Sequence, residues 1–188
     1  MKSFSIAALG AAAVLTLAGM GFATSAHAGD VEWTYPSIAK FGPVHPLTDA
    51  SVMPKKDGVY KAIFDVTSAA KAPDQLEPGL SHVARAVNVF AYAGVPLKNL
   101  KFVAVLHGPS TDAILSNEAY KKRYNVDNPN IPLIEALIKA GVHVDVCGQA
   151  LAEHNIDHAD VLKGVRIDLS ALATVIVYGD MGYAYMKQ

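Results

Sequence analysis

The 188-residue chain balances 16 lysines and arginines against 17 aspartates and glutamates, with no long run of either sign. That balance gives no electrostatic footprint for nucleic acid or an anionic membrane surface, so neither is expected as a partner. A single cysteine, Cys147, rules out an internal disulfide, and with 52% apolar residues the chain can build one core without disulfide or metal.

The chain opens with Lys2, an almost uninterrupted apolar run from Ile6 to Leu17, and small residues ending in Ala26-His27-Ala28. This is the pattern of a cleavable secretory signal peptide over residues 1–28, with the mature chain starting at Gly29. The run is too short to span a bilayer, and no charged stop-transfer flank supports a retained anchor helix. The expected location is the periplasm, with no membrane attachment after cleavage. About 160 residues remain, which fits a single domain.

Residues 29–57 carry Pro36, Pro43, Pro46 and Pro54 among the aromatics Trp33, Tyr35 and Phe41, with neither helical nor strand periodicity. They read as an extended arm. It either lies on the domain surface, since a free linker would lack the aromatics, or docks on a neighbouring subunit.

Residues 58–188 read as an α/β domain in which short apolar runs alternate with helical stretches, the signature of a largely parallel sheet. Val59 to Val66 is the first predicted strand. Leu80, Val83, Ala84, Val87 and Phe90 then recur at helical spacing within Gly79 to Tyr92, and Gly94 stops that helix. A second strand at Lys101 to Leu106 is followed by a polar helix at Asn117 to Tyr124, with Tyr120, Lys121, Lys122 and Tyr124 on a wet face. Asn128-Pro129-Asn130 sets a turn before an apolar helix at Leu133 to Ala140. Val142 to Val146 is the third strand, and a short helix is expected from about Ala150 to His154. The alternation of His143 and Asp145 with Val144 and Val146 marks one face as incompletely covered, by an edge position or a subunit interface. Val165 to Ile167 reads as a strand. Leu169 to Tyr178 is open between helix and strand, with the β-branched run Thr174 to Val177 favouring strand. Tyr183 to Met186 closes the sheet.

Two strand ends carry the candidate chemistry. Cys147-Gly148-Gln149 follows the third strand and leads into a helix, so the thiol stands where backbone N–H groups favour the thiolate. Gly148 would let a reactant approach the backbone, and Gln149 would donate to a bound anion or persulfide. His107-Gly108-Pro109 ends the second strand and reaches the same sheet edge, where His107 would serve as base or ion-pair partner for Cys147. The alternative reading of His107 is a turn residue bonded to backbone. The candidate catalytic residues are therefore Cys147 and His107, and the candidate substrate-binding residues are Gly108, Gly148, Gln149 and Asn130. No cofactor is implied. His154 and His158 stand four apart, a weak metal signal because Asn155-Ile156-Asp157 interrupts the helix, and no metal is assigned.

These motifs, in this order and spacing, resemble the DsrE/DsrF-like family. The resemblance is carried by Phe64-Asp65-Val66, Val105-Leu106-His107-Gly108, Asn128-Pro129-Asn130 and Val146-Cys147-Gly148-Gln149. Phe41-Gly42-Pro43-Val44-His45-Pro46 and Gly182-Tyr183-Ala184-Tyr185-Met186 are similar to exported, periplasmic members. The resemblance implies a YchN-like three-layer α/β sandwich around a mostly parallel sheet of about five strands, with Leu169 to Tyr178 as a helix. It further implies a homo-oligomer of three or six subunits and a sulfur-carrying role for Cys147. The expected function is thus a sulfur carrier or sulfurtransferase that holds a persulfide on one cysteine, with donor and acceptor unassigned. The alternative is a non-catalytic ligand-binding or assembly protein in which Cys147 only packs.

Overall fold

Apolar runs at Tyr60–Val66 and Leu100–Leu106 are buried along most of their length, which selects strands covered on both faces. The computed structural model describes residues 31–188, so the signal peptide expected over residues 1–28 lies outside the described residues. Strands β1 (Tyr60–Val66), β2 (Leu100–Leu106), β3 (His143–Cys147), β4 (Arg166–Asp168) and β5 (Ala184–Lys187) form one sheet in the order β4-β3-β2-β1-β5. Every neighbouring pair is parallel. The fold is the α/β class expected, with a five-stranded sheet between helical layers.

Chain direction decides which helix covers which face. The path from β1 to β4 always steps the same way, and α1 (Pro78–Tyr92) and α3 (Ile131–Lys139) pack together over one face. The link from β4 to β5 must return across the sheet, and a right-handed crossover in that reversed direction runs over the opposite face. That link is α5 (Ala171–Asp180), which contains the β-branched run Thr174 to Val177. A parallel return needs a crossover, so topology overrides the local strand preference, as the family resemblance implied.

Strand alternation sorts the core into two unequal parts. Ala62, Phe64, Val66, Phe102, Ala104, Leu106, Val144 and Val146 face α1 and α3 in the large cluster. Ile63, Val103, Val105 and Cys147 face α5 in a small cluster with Ala150 and Ala171. Pro78 opens α1 and the Glu77 carboxylate accepts from Leu80 N–H at 2.6 Å, capping the helix by its side chain. Gly94, at φ +82°, lies just past its end.

The edge position offered for β3 and the wet face expected for Tyr120 are corrected here. β3 is an interior strand rather than an edge, and Asp145 on its incompletely apolar face pairs with Arg166 of β4. Tyr120 of α2 (Asn117–Tyr124) is not on a wet face: it is 4% exposed and donates to the Pro73 carbonyl at 2.8 Å, while Lys121 and Lys122 are exposed.

The arm is held by one buried side chain. Asn88 of α1 accepts from the N–H groups of Ser37 and Ile38 and donates to the carbonyls of Ile38, Phe41 and Gly42. Gly42, at φ +59°, runs so close to α1 that a Cβ would meet Arg85 N at 2.1 Å. Residues 37–42 thus lie on α1 of their own chain.

Candidate functional site at the carboxyl edge of the sheet

Cys147 ends β3 and stands at the residue before the short helix α4 (Gly148–Glu153), with no capping hydrogen bond from its side chain. Its side chain packs with the small cluster and leaves the residue 6% exposed, yet it also lines an open crevice of about 360 Å³. His107, Gly108, Gln149, Glu153, Ser170 and Leu172 line the same crevice. Leu106 pairs with Val146 in the β2–β3 register, so His107, still extended at φ −158°, stands level with Cys147 on the adjacent strand. Adjacent strands lie about 4.8 Å apart. The topology therefore brings the two predicted catalytic residues to one crevice.

His107 is fixed by a carboxylate that sequence reasoning did not assign to the site. Its Nε2 lies 2.6 Å from Oδ1 of Asp65 on β1, and Oδ2 of Asp65 accepts from the Tyr185 hydroxyl of β5 at 2.5 Å. An ionised carboxylate can only accept, so Nε2 carries the proton, and the other side of the ring faces the backbone N–H of Ser110 at the start of the turn that follows β2. The bond to Asp65, with a smaller contribution from burial, pushes the Tyr185 hydroxyl above its ordinary pKa of 10.0. The available signal was Asp65 itself, an acid inside an otherwise apolar strand.

The remaining predicted residues separate. Gly108, at φ +54°, lines the crevice, and an added Cβ would face open space, so glycine is favoured there by the backbone alone. Gly148 does not leave room for a reactant: a Cβ there would meet the Asp168 carbonyl oxygen at 2.8 Å, so the missing side chain admits the backbone of β4. Gln149 lines the crevice with its amide engaged, Nε2 donating to the Leu169 carbonyl at 3.0 Å. It ties α4 to the loop before α5.

Asn130 is not at this crevice. It is 1% exposed, its Oδ1 accepts from Glu77 N–H at 2.8 Å, and its Nδ2 donates to Asn128 Oδ1. Asn128 in turn donates to the carbonyls of Ala113 and Leu115, so the two asparagines stitch the β1–α1 loop to the segment after β2. Asn130 contributes instead to a second cavity of about 220 Å³, with Glu77, Ser110, Asp112 and Tyr124. Asp112 organises one side of that cavity, binding Arg123 at 2.9 Å, His154 at 3.1 Å and the Tyr124 hydroxyl. Burial first, then the bond to Asp112, pushes the Tyr124 hydroxyl up to about 12.

The two histidines weighed for metal do not share a helical face. α4 ends at Glu153, His154 turns to Asp112, and His158 opens a separate 3₁₀ turn. No group of three metal-ligating side chains gathers among the described residues. No helix among them is long and apolar enough to cross a membrane.

Behind Cys147, Asp145 has no exposed side-chain surface and forms a bidentate pair with Arg166, at 2.6 and 2.5 Å. Burial pushes its carboxyl above the ordinary range, and the Arg166 hydrogen bond opposes that shift.

A model of the DsrE/DsrF-like family matches residues 61–187, which hold nearly all of the sheet and the crevice. No curated protein matches the chain. Among solved structures, a protein of unknown function from Methanobacterium thermoautotrophicum is similar at 16% identity and a TM-score of 0.49, over 69% of this chain and 99% of that one.

Proposed function

The chain belongs to the DsrE/DsrF-like family, and on that premise we propose that it is a sulfur carrier that holds a persulfide on Cys147. One observation carries the reading: the chain's single cysteine lines the carboxyl-edge crevice together with His107, whose Nε2 is held by a carboxylate. Open α/β sheets bind ligands at this edge.

The transfer is a thiolate exchange. Cys147 Sγ attacks the outer sulfur of a donor R–S–SH, forming one S–S bond as the donor's S–S bond breaks. The electron pair leaves with the R–S⁻ thiolate, and Cys147 becomes Cys–S–SH. Attack by an acceptor thiolate on the outer sulfur reverses the bookkeeping and restores the Cys147 thiolate. No external oxidant, metal or cofactor takes part.

Intact-mass spectrometry after incubation with polysulfide or thiosulfate tests this. A reductant-sensitive gain of about 32 Da on the wild type, absent in Cys147→Ser, is the expected result. No gain, with Cys147 resisting alkylation until the protein is unfolded, would overturn it. The low exposure of Cys147 favours that second reading, a structural cysteine in an assembly or ligand-binding protein.

Location and assembly belong to the same proposal. The N-terminal pattern supports export of a YchN-like periplasmic member, checked by finding a mature chain starting at Gly29 in the periplasmic fraction. The number of copies, three or six, rests on the family resemblance, and the exposed apolar side of α5 supports self-association. That side carries Leu172 at 79% and Ile176 at 64% exposure, beside Leu169 at 79%. A second copy seated there would bury that patch and, because Leu172 lines the crevice, also wall the site.

A further inference from the structure

We propose that a groove at the amino edge of the sheet binds a small organic anion, a carboxylate or sulfonate carried on an apolar body. It does not rest on the sulfur-carrier reading, because the groove lies at the opposite end of the strands from Cys147. Its origin is a stagger. β1 runs beside β2 from Leu100 onward, whereas β3 begins only at His143, opposite Val103. Leu100, Lys101 and Phe102 therefore have a strand on one side alone. The chain before β3 is not free to close the gap: Gly141, at φ +91°, turns out of α3, and Val142 N–H returns to the Leu137 carbonyl at 3.0 Å. The notch that remains holds about 380 Å³, a volume that suits a small molecule.

The charges around the notch select the ligand. Lys98, Lys101, Lys139 and His143 line it and no aspartate or glutamate does, in a chain whose charges otherwise nearly cancel. The cavities at the carboxyl edge differ in this respect, one including Glu77 and Asp112 and the other Glu153. All four basic side chains are exposed, and none of them joins an ion pair among the described residues. Lys139 has a local reason to be there, since a cation in the last turn of α3 offsets the carbonyl end of that helix. Lys98 and Lys101 have none. Lys101 also stands directly opposite Lys61 of β1, where like charges repel. Lys61 turns to the Met181 carbonyl at 3.1 Å and lies 5.7 Å from the centre of the Tyr183 ring. Asp145, two residues beyond His143 on β3, is already held by Arg166 at 2.6 and 2.5 Å. An anion in the notch would give Lys98 and Lys101 the counter-charge that the chain does not supply.

The apolar part of the ligand follows from the rest of the lining. Leu97 and Tyr183, both half-buried, flank the lysines, and Phe102 and Val103 form the floor. A bare inorganic anion would leave that apolar surface against water, whereas a ligand with an apolar body covers it.

Calorimetric titration with naphthalene-2-sulfonate, set against the uncharged 2-naphthol at pH 7, tests the proposal. The wild type is expected to bind one sulfonate per chain, about tenfold more tightly than the naphthol. Lys98→Gln combined with Lys101→Gln should weaken the sulfonate about tenfold and leave the naphthol unchanged. Lys98→Arg combined with Lys101→Arg keeps both charges and should stay within about threefold of the wild type. Leu172→Glu, which disrupts the exposed apolar side of α5 instead, should bind the sulfonate as the wild type does. The substituted lysines are exposed, and matching circular dichroism spectra and melting temperatures guard against a folding defect. A wild type that binds no sulfonate, an affinity unchanged in the glutamine variant, equal binding of the naphthol, or an affinity lost in Leu172→Glu overturns the proposal.

Discussion

The two faces of the sheet are built for different work. On one, α1 and α3 cover nine strand side chains with fully buried leucines and valines, Leu80, Val83, Leu133 and Leu137 among them. On the other, α5 covers a cluster of six buried residues that includes the thiol, and two carboxylates, Asp65 and Asp145, stand among the strand side chains of that face. The first face can be filled with apolar atoms because nothing has to enter it. The second must leave a crevice, and each charge there brings a partner. Stability and reactivity are thus separated by the parity of strand positions.

Truncating a side chain on each face gives the largest test of that division. Leu133→Ala on α3 should cost about 2–5 kcal/mol, the transfer energy of the lost atoms plus that of the cavity left in a closed core. Val175→Ala on α5, only partly buried against the small cluster, should cost under about 1.5 kcal/mol because water and neighbours can fill its place. Urea midpoints at unchanged slope measure both. Equal losses would mean that α5 covers the sheet as firmly as α1 and α3 do.

The Asp145–Arg166 pair sharpens the comparison through charge. Arg166→Ala leaves a carboxylate with no exposed surface unpaired, which should cost about 2–4 kcal/mol at pH 8, less than for a fully buried pair because the Arg166 side chain is 44% exposed. Burial already holds the Asp145 carboxyl above its ordinary 3.8. The folded protein therefore binds this proton more tightly than the unfolded chain, and the group's stabilising contribution is lost as pH rises through its folded pKa. Without Arg166 that pKa rises further, so the penalty of Arg166→Ala should shrink between pH 8 and pH 5. Chemical denaturation at the two values checks it, and a penalty that grows on acidification would reverse the assignment. Asp145→Leu combined with Arg166→Met should recover much of the loss.

How much of this was legible follows from how far each residue reaches. α1 was readable because its apolar spacing and the Gly94 stop are local. Cys147 and His107 were readable because each ends a strand, and parallel neighbours bring strand ends together whatever the intervening chain does. Asp65 was not, since its partners lie 42 and 120 residues away and only the register shows that the three meet. Asn130 was misplaced for the same reason, its partner Glu77 being 53 residues distant. Gly148 was read as space for a reactant, although the space belongs to β4, a strand that local sequence cannot position. α5 could not be decided from its own residues, because its conformation follows from the direction of the return crossover.

The smallest expected change in the stability of the fold comes from the outer side of α5, and its smallness is the point. Leu172 is 79% exposed, so Leu172→Glu removes almost no intrachain contact and should alter the unfolding free energy of a dissociated subunit by no more than about 0.5 kcal/mol. If a second copy covers this patch, the same substitution places a charge in an apolar interface, where it is expensive to desolvate. Sedimentation should then show the wild type as an oligomer and Leu172→Glu as a monomer, with nearly the same denaturation midpoint at low concentration. A wild type that is already monomeric, or a variant that keeps the full assembly, removes α5 as the contact. In the expected case the thin face is thin because it is half of a layer: the second copy supplies the rest, and the crevice around Cys147 acquires its outer wall only on assembly.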